Sequence, residues 1–277
     1  MKKVLAISGG VDSMALLAML KNDPDVVVAH FDHGTRESSK DDANFVGNTA
    51  EKFRLPFFLG TAELGDTVSE ATAREARYKF LNQVSKKVSG EIWTAHHIND
   101  LVESVAINIL RGTGWRGLTP FSNEKVHHFF LEVEPMTKTE IDIFAANNNL
   151  SFRQDPTNAE ENYLRNRLRP KVSQMSKPKL LAIYNLYQKQ LKLRLEIEKI
   201  LAEIIPLNGV FERKWFTDID ETVALEILKF ELSRHNILAT RPQILDFLNA
   251  IKTYAPEKKF NLPGGKMVTI HKTYFKI

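Results

Sequence analysis

Lys2-Lys3-Val4-Leu5-Ala6-Ile7-Ser8-Gly9-Gly10-Val11-Asp12-Ser13-Met14-Ala15-Leu16-Leu17-Ala18-Met19-Leu20 is the stretch that decides the fold class. Val4 to Ile7 is a short unbroken apolar run, as expected of a strand buried on both faces of a parallel sheet, and Met14 to Leu20 follows as a helix. Ser8 to Ser13 is therefore a strand-to-helix turn. Its adjacent glycines let backbone approach a ligand closely, and the helix start turns N–H groups and a positive dipole end outward. Such a turn binds anionic oxygens.

The same alternation continues outward from this stretch. Val26 to Phe31 predicts a second strand ending at Asp32-His33-Gly34, and Asp41 to Phe53 a helix. Leu55 to Leu59 predicts a third strand, followed by a helix over Ser69 to Lys87 with Ser69 as its cap. Ile92 to Ala95 is a fourth strand that runs through His96-His97 into a helix from about Asn99 to Leu110. Strands alternating with helices predict an α/β fold, a Rossmann-like parallel sheet with helices on both faces. Ligands of such sheets gather at the strand C-terminal ends, so Ser8–Ser13, Asp32–His33 and His96–Asp100 should converge on one crevice.

Phe129 to Val133 predicts an edge strand and Lys138 to Asn149 another helix. From Asn162 the pattern is helical, with Leu180, Ile183, Tyr187, Leu191 and Leu195 on one face of a helix reaching about Ile204. Pro206-Leu207-Asn208-Gly209 breaks it and marks a boundary. The expected domains are 1–207, with a basic helical extension over about 162–205, and 208–277, a small α+β unit. The latter has helices over Ile219–Arg234 and Pro242–Tyr254 and a closing hairpin around Pro263-Gly264-Gly265.

Composition is that of an ordinary globular protein, with 277 residues, 43% hydrophobic and 26% charged, enough for a proper core. No apolar run has the length to span a bilayer, and Met1-Lys2-Lys3 leads straight into the first strand, so the expected location is the cytoplasm. Zero cysteines exclude disulfides, thiolate metal sites and a thiol nucleophile within these residues. Net charge is only +4, yet nine Lys or Arg and no Asp or Glu fall between Tyr163 and Arg194. A block of one sign is a candidate polyanion surface.

His97, Asp100 and Glu103 are spaced by three, which sets the two carboxylates on one helix face behind His97. Arg111 returns to that face if the helix persists. Beside an anion-binding turn, paired carboxylates suit magnesium or a cationic amine; alone, such a trio is an ordinary solvated face.

The turn lacks the Gly-x-x-x-x-Gly-Lys-Ser/Thr pattern and resembles instead the PP-loop, Ser-Gly-Gly-x-Asp-Ser, of enzymes that split ATP into AMP and pyrophosphate. Further blocks are similar to those of tRNA(Ile)-lysidine synthetases. They are Phe31-Asp32-His33-Gly34 with Arg36 and Ser38, Glu70-Ala71-x-Ala73-Arg74-x-x-Arg77-Tyr78, and His96-His97-Ile98-Asn99-Asp100-Leu101-Val102-Glu103-Ser104. Arg111-Gly112-Thr113-Gly114-Trp115-Arg116-Gly117-Leu118, Asp155-Pro156-Thr157-Asn158 and Tyr163-Leu164-Arg165-Asn166-Arg167-Leu168-Arg169 complete the set. Departures from the family pattern are Asn99 for its first Asp, Ser104 for Thr, and Glu134-Pro135-Met136 for Arg-Pro-Leu.

The resemblance implies an ATP-dependent ligase that attaches free L-lysine to C2 of the wobble cytidine of an isoleucine tRNA with a CAU anticodon, through an adenylated cytidine, releasing AMP and pyrophosphate. It implies ATP and Mg2+ as cofactors, with ATP held by Ser8, Gly9, Gly10, Val11, Asp12 and Ser13 and the metal by Asp12 and Asp100. Asp32, Asp100, Glu103, Arg74 and Arg111 carry the implied catalytic roles. His33, His97, Arg77, Arg165, Asn166 and Arg169 are the implied substrate contacts, the last three on tRNA. Arg74 and Arg77 can equally pair with Glu70 or Glu75 on their own helix. The competing readings are a thiolase or an amidating enzyme on the same loop, or a non-catalytic RNA-binding module, and the oligomeric state stays open, a homodimer included.

Overall fold

The computed structural model describes residues 1–34, 39–62, 70–122, 125–153 and 164–277. Arg36, Ser38, the Ser69 cap, Asp155–Asn158 and Tyr163 lie outside the described residues. The chain divides into two compact units, Met1–Leu191 and Lys192–Ile277.

In the first unit, β1 (Lys2–Ala6), β2 (Val26–Asp32), β3 (Phe57–Thr61), β4 (Gly90–Thr94) and β5 (Val126–His128) form one parallel sheet in the order β3-β2-β1-β4-β5. Parallel strands need crossovers, supplied by α1 (Val11–Leu20), α2 (Ser39–Lys52), α3 (Glu70–Val88) and α4 (Ile98–Leu110). Because β1 is central, both of its faces are covered. Leu5 joins Leu16, Leu17, Val28 and Val46 in one core, and Val4 joins Val27, Leu81 and Ile92 in the core on the other face. The expected α/β fold is observed. The strand order reverses at β1, so its C-terminal end is the place where an open sheet leaves a crevice.

One expected strand is corrected. Phe129–Val133 does not extend the sheet: β5 precedes it, and Phe129–Glu132 form a single helical turn, α5, with Phe129, Phe130 and Leu131 all buried. Three consecutive buried side chains cannot come from a strand with one solvated face, which alternates. After α6 (Lys138–Asn147) and α7 (Leu164–Ser173) comes α8 (Lys177–Ile204). Tyr184 and Tyr187 donate to the carbonyls of Leu131 and Phe121, which ties the first half of α8 into the first unit.

The second unit joins the last turns of α8 to β6 (Val210–Glu212), α9 (Arg213–Asp218), α10 (Glu221–Arg234), α11 (Arg241–Thr253), β7 (Lys258–Asn261), β8 (Met267–Ile270) and β9 (Tyr274–Lys276). Its strands pair antiparallel in the order β6-β9-β8-β7, so the closing hairpin is part of a four-stranded sheet. Phe211, Phe216, Phe247 and Phe275 are fully buried at its centre, together with Leu201 and Ile205. Those two residues draw the end of α8 into this unit, which is why the compact units divide after Leu191 and not at the Pro206–Gly209 break. Among the described residues no helix is long and apolar enough to cross a membrane.

Candidate active site

The turn between β1 and α1 is built from its own hydroxyls. Ser8 Oγ accepts the Gly10 N–H at 3.3 Å and lies 3.1 Å from Ser13 Oγ, which donates to the Gly10 carbonyl at 2.9 Å. Gly9 takes φ +92°, a left-handed conformation that side chains disfavour. Its carbonyl accepts the Arg153 N–H at 2.9 Å. Among the described residues no side chain caps α1 at Gly10, which leaves its start suited to an anion.

The turn opens onto a crevice of about 730 Å³ at the C-terminal ends of β1 and β2. Of the expected site residues, Ser8, Gly10, Val11, Asp12, Asp32, His33, Arg77, His97, Asp100, Glu103 and Arg169 line it. Gly9 and Ser13 shape the turn behind that wall. Arg74, Arg111, Arg165 and Asn166 do not line it. Arg74 stacks on Tyr78 at 4.7 Å within α3, while Arg77 reaches the crevice. Arg111 caps the C-terminus of α4 and is exposed: the helix persists for three turns and returns it to the Asp100 side, but about 16 Å further along the axis, away from the crevice.

The start of α4 is a reciprocal cap. His97 Nδ1 accepts the Asp100 N–H at 3.4 Å, and the Asp100 carboxylate accepts the His97 N–H at 3.1 Å. With Nδ1 accepting, the ring proton sits on Nε2, which lies 3.4 Å from Asp100 Oδ2 and 3.8 Å from Asp12 Oδ2. Burial works against charge on the Asp100 carboxylate, but His97, both its ring and the backbone N–H that Asp100 accepts, together with the Arg165 charge, outweighs it and the pKa is lowered. His96 and His128 sit behind this wall on Thr94 Oγ1, 2.9 and 2.7 Å away, and burial lowers them to about 3 and about 4, so both are neutral.

Glu103 is only 2% exposed, and burial, reinforced by the Asp100 charge, pushes its pKa up to about 7. The Nε atoms of Arg165 and Arg169 lie 3.6 and 3.7 Å from its oxygens, too far to hydrogen-bond, and their charges offset only part of that penalty. Arg165 donates instead to Ser104 Oγ at 2.9 Å. The basic helix α7 thus turns Arg165 and Arg169 inward, while Arg167 and Lys171 are exposed.

Asp32 is buried and accepts the Gly34 N–H at 2.8 Å. His33 is half-buried, its Nδ1 is shielded and has no hydrogen-bond partner among the described residues, and its pKa is lowered by burial and by Arg77. Among the described residues no three acidic or imidazole side chains converge to hold a metal by themselves. Asp12 and Asp100, either side of the His97 ring, offer two hard oxygen donors, which fits magnesium because that ion keeps waters and takes substrate phosphates for its other positions. Asn99 is committed elsewhere: its Oδ1 accepts the Lys138 N–H at 2.9 Å.

Sequence patterns missed several lining residues, among them His30, Asp42, Lys138, Phe152 and Arg153. They come from β2, α2, α6 and the stretch after α6, and no local motif marks them. Arg153 Nε donates to Asp42 at 2.9 Å, and Lys138 Nζ to Asp12 at 2.6 Å, pairs formed across more than a hundred residues.

Comparison with known proteins matches residues 1–176 to the model of a PP-loop domain. A tRNA(Ile)-lysidine synthase of Thermotoga maritima is 31% identical over 229 residues, 76% of this chain and 55% of that protein. One from Caldanaerobacter subterraneus is 38% identical over 186 residues, 62% of this chain and 39% of that protein. The chain spans about half or less of the length of these curated relatives. Among solved structures, a U34-tRNA thiolase from Methanococcus maripaludis with a [4Fe-4S] cluster superposes with a TM-score of 0.58 at 17% identity, over 69% of this chain and 72% of that one, a likeness of fold.

Proposed function

We propose, since the chain belongs to the PP-loop family, that it uses ATP to modify tRNA, and specifically that it ligates lysine to C2 of the wobble cytidine of a CAU-anticodon isoleucine tRNA. The observation that carries this reading is the convergence of the uncapped Ser8–Ser13 turn with Asp32, His97 and Asp100 on one crevice. The turn is suited to a leaving pyrophosphate. The acidic and imidazole wall is suited to a base and an amine.

In this reading the cytidine O2 attacks the α-phosphorus of ATP, and the departing pyrophosphate is taken by the Ser8–Ser13 amides and hydroxyls. The lysine ε-nitrogen then attacks C2, and the oxygen leaves with AMP. Asp12 and Asp100 would hold Mg2+, which supplies charge neutralisation on the phosphates. Asp32 orients the adenylation site beside His33, and Arg77 faces the phosphates or the cytidine. An incoming ammonium must lose its proton to attack. Glu103, pushed up to about 7, is matched to accept it near neutral pH. The charges of Arg165 and Arg169 beside Glu103 disfavour a lasting ammonium–carboxylate pair there, which favours taking the proton over holding the cation.

The fold it shares with the thiolase does not bring that chemistry, since a cysteine-held cluster has no ligands among these residues. The deciding experiment mixes purified protein with ATP, labelled lysine and tRNA transcripts. Lysine entering one isoleucine tRNA with AMP release supports the proposal; ATP binding without turnover supports a non-catalytic RNA-binding module. Asp12→Ala is expected to abolish product while tRNA retention survives, and full activity in that variant overturns the site assignment.

A further inference from the structure

We infer that Lys138 is a phosphate-binding residue of this site, held on Asp12 until a polyphosphate takes it over, and that Asn99 is its positioning residue. The inference rests on the crevice being the ATP site. Lys138 is the first residue of α6, whose cap is Thr137. A cation in the first turn of a helix is opposed by the macrodipole, so helix stability alone argues against lysine here. Its Nζ is nonetheless drawn across to Asp12 Oδ1 at 2.6 Å, with Asp142 Oδ1 at 3.0 Å.

The α1, α4 and α6 helices all present first-turn residues to this crevice, namely Asp12, Asp100 and Lys138. The starts of α4 and α6 carry capping boxes of their own, so the uncapped start of α1 is the end that favours an anion, and Lys138 adds a cation beside it. Lys138 stands at the shared rim, one-third exposed, next to the uncapped amides of α1. An incoming polyphosphate brings more negative charge and more acceptor oxygens than the Asp12 and Asp142 carboxylates that hold Lys138. Exchange of Lys138 onto them frees Asp12 for the metal that accompanies the nucleotide. Asn99 fixes where this lysine starts, because its buried Oδ1 accepts the Lys138 backbone N–H. That use of Asn99 needs an acceptor oxygen and no charge, which accounts for an amide at a position where the family commonly has aspartate.

The test is titration calorimetry of the full chain with inorganic pyrophosphate, with magnesium and again in chelator, alongside thermal melts. Lys138→Met is expected to weaken binding roughly ten- to a hundredfold, the loss of a charge-assisted hydrogen bond, and Lys138→Arg to restore most of it. In chelator, Asp12→Asn removes the nearer of two competing carboxylates and should tighten pyrophosphate binding severalfold, a gain that disappears in the Asp12→Asn/Lys138→Met pair. Asn99→Leu should weaken binding less than Lys138→Met, and Asn99→Asp should keep it. A purely structural bridge predicts lower melting temperatures with unchanged affinity. Binding by Lys138→Met within twofold of the parent overturns the assignment of Lys138, while absence of pyrophosphate binding by the parent overturns the ATP site itself and this inference with it.

Discussion

Glu103 concentrates the chemistry of single residues in this chain. Its carboxyl is buried against Asp100, and its pKa is raised from the ordinary 4.5 to about 7. A raised acid favours the folded state while protonated. That stability is complete below about 4.5 and is lost as pH rises through about 7, up to about 3 kcal/mol in all. Glu103→Gln is therefore expected to flatten the pH dependence of unfolding between pH 5 and 8, measured by urea titration at each pH; parallel curves for the two proteins would remove Glu103 as the titrating group. Gly9 is the second residue-scale constraint. At φ +92°, with Val46 and Phe45 side chains 3.5 and 3.7 Å from where a β-carbon would stand, Gly9→Ala should cost about 1–3 kcal/mol and weaken ATP binding. An unchanged melting temperature would refute it. The motif around Gly9 is legible in the sequence because a tight turn needs local residue types. The Lys138–Asp12 pair is not, because 126 residues separate its members.

Elements were legible where a local period governs them. The first four strands and their crossover helices follow from short apolar runs and amphipathic spacing, and each lies within a few residues of its expected span. Phe129–Val133 shows the limit of that reading: an apolar run of five serves a strand or a buried helical turn equally, and the packing of Phe130 in the core decided for the helix. In the second unit the decisive residue is again one without a pattern. Arg213 donates to the carbonyls of Ile251, His271 and Tyr254 at 2.8, 3.2 and 2.9 Å, tying α9 to the end of α11 and to the β8–β9 connection. Arg213→Ala leaves those carbonyls short of donors and should destabilise this unit by about 2–4 kcal/mol, seen as a lower denaturation midpoint. Arg213→Lys, which cannot span three acceptors, should recover little of it.

For the whole molecule, the question is how a charge of only +4 would serve the proposed polyanionic partner. The basic run from Tyr163 to Arg194 is divided by the fold: Arg165 and Arg169 face Glu103, whereas Arg167, Lys171, Lys177 and Lys179 are exposed. If the exposed set meets tRNA backbone, Arg167→Ala with Lys171→Ala should weaken tRNA retention at all sequences and lower the salt slope of binding by about one per lost contact, in filter-binding titrations from low to moderate salt. An unchanged slope would place the RNA elsewhere. The sequence by itself determined the parallel α/β sheet, the anion-binding turn and the candidate wall of His97, Asp100 and Glu103, since each depends on residues within a few positions of one another. Only the tertiary structure decided that Arg111 is excluded, that the basic helix turns two arginines inward, and that Lys138 and Asn99 join the turn. Those placements depend on which helix ends meet at the edge of the sheet, a property of packing between distant segments that no local period encodes.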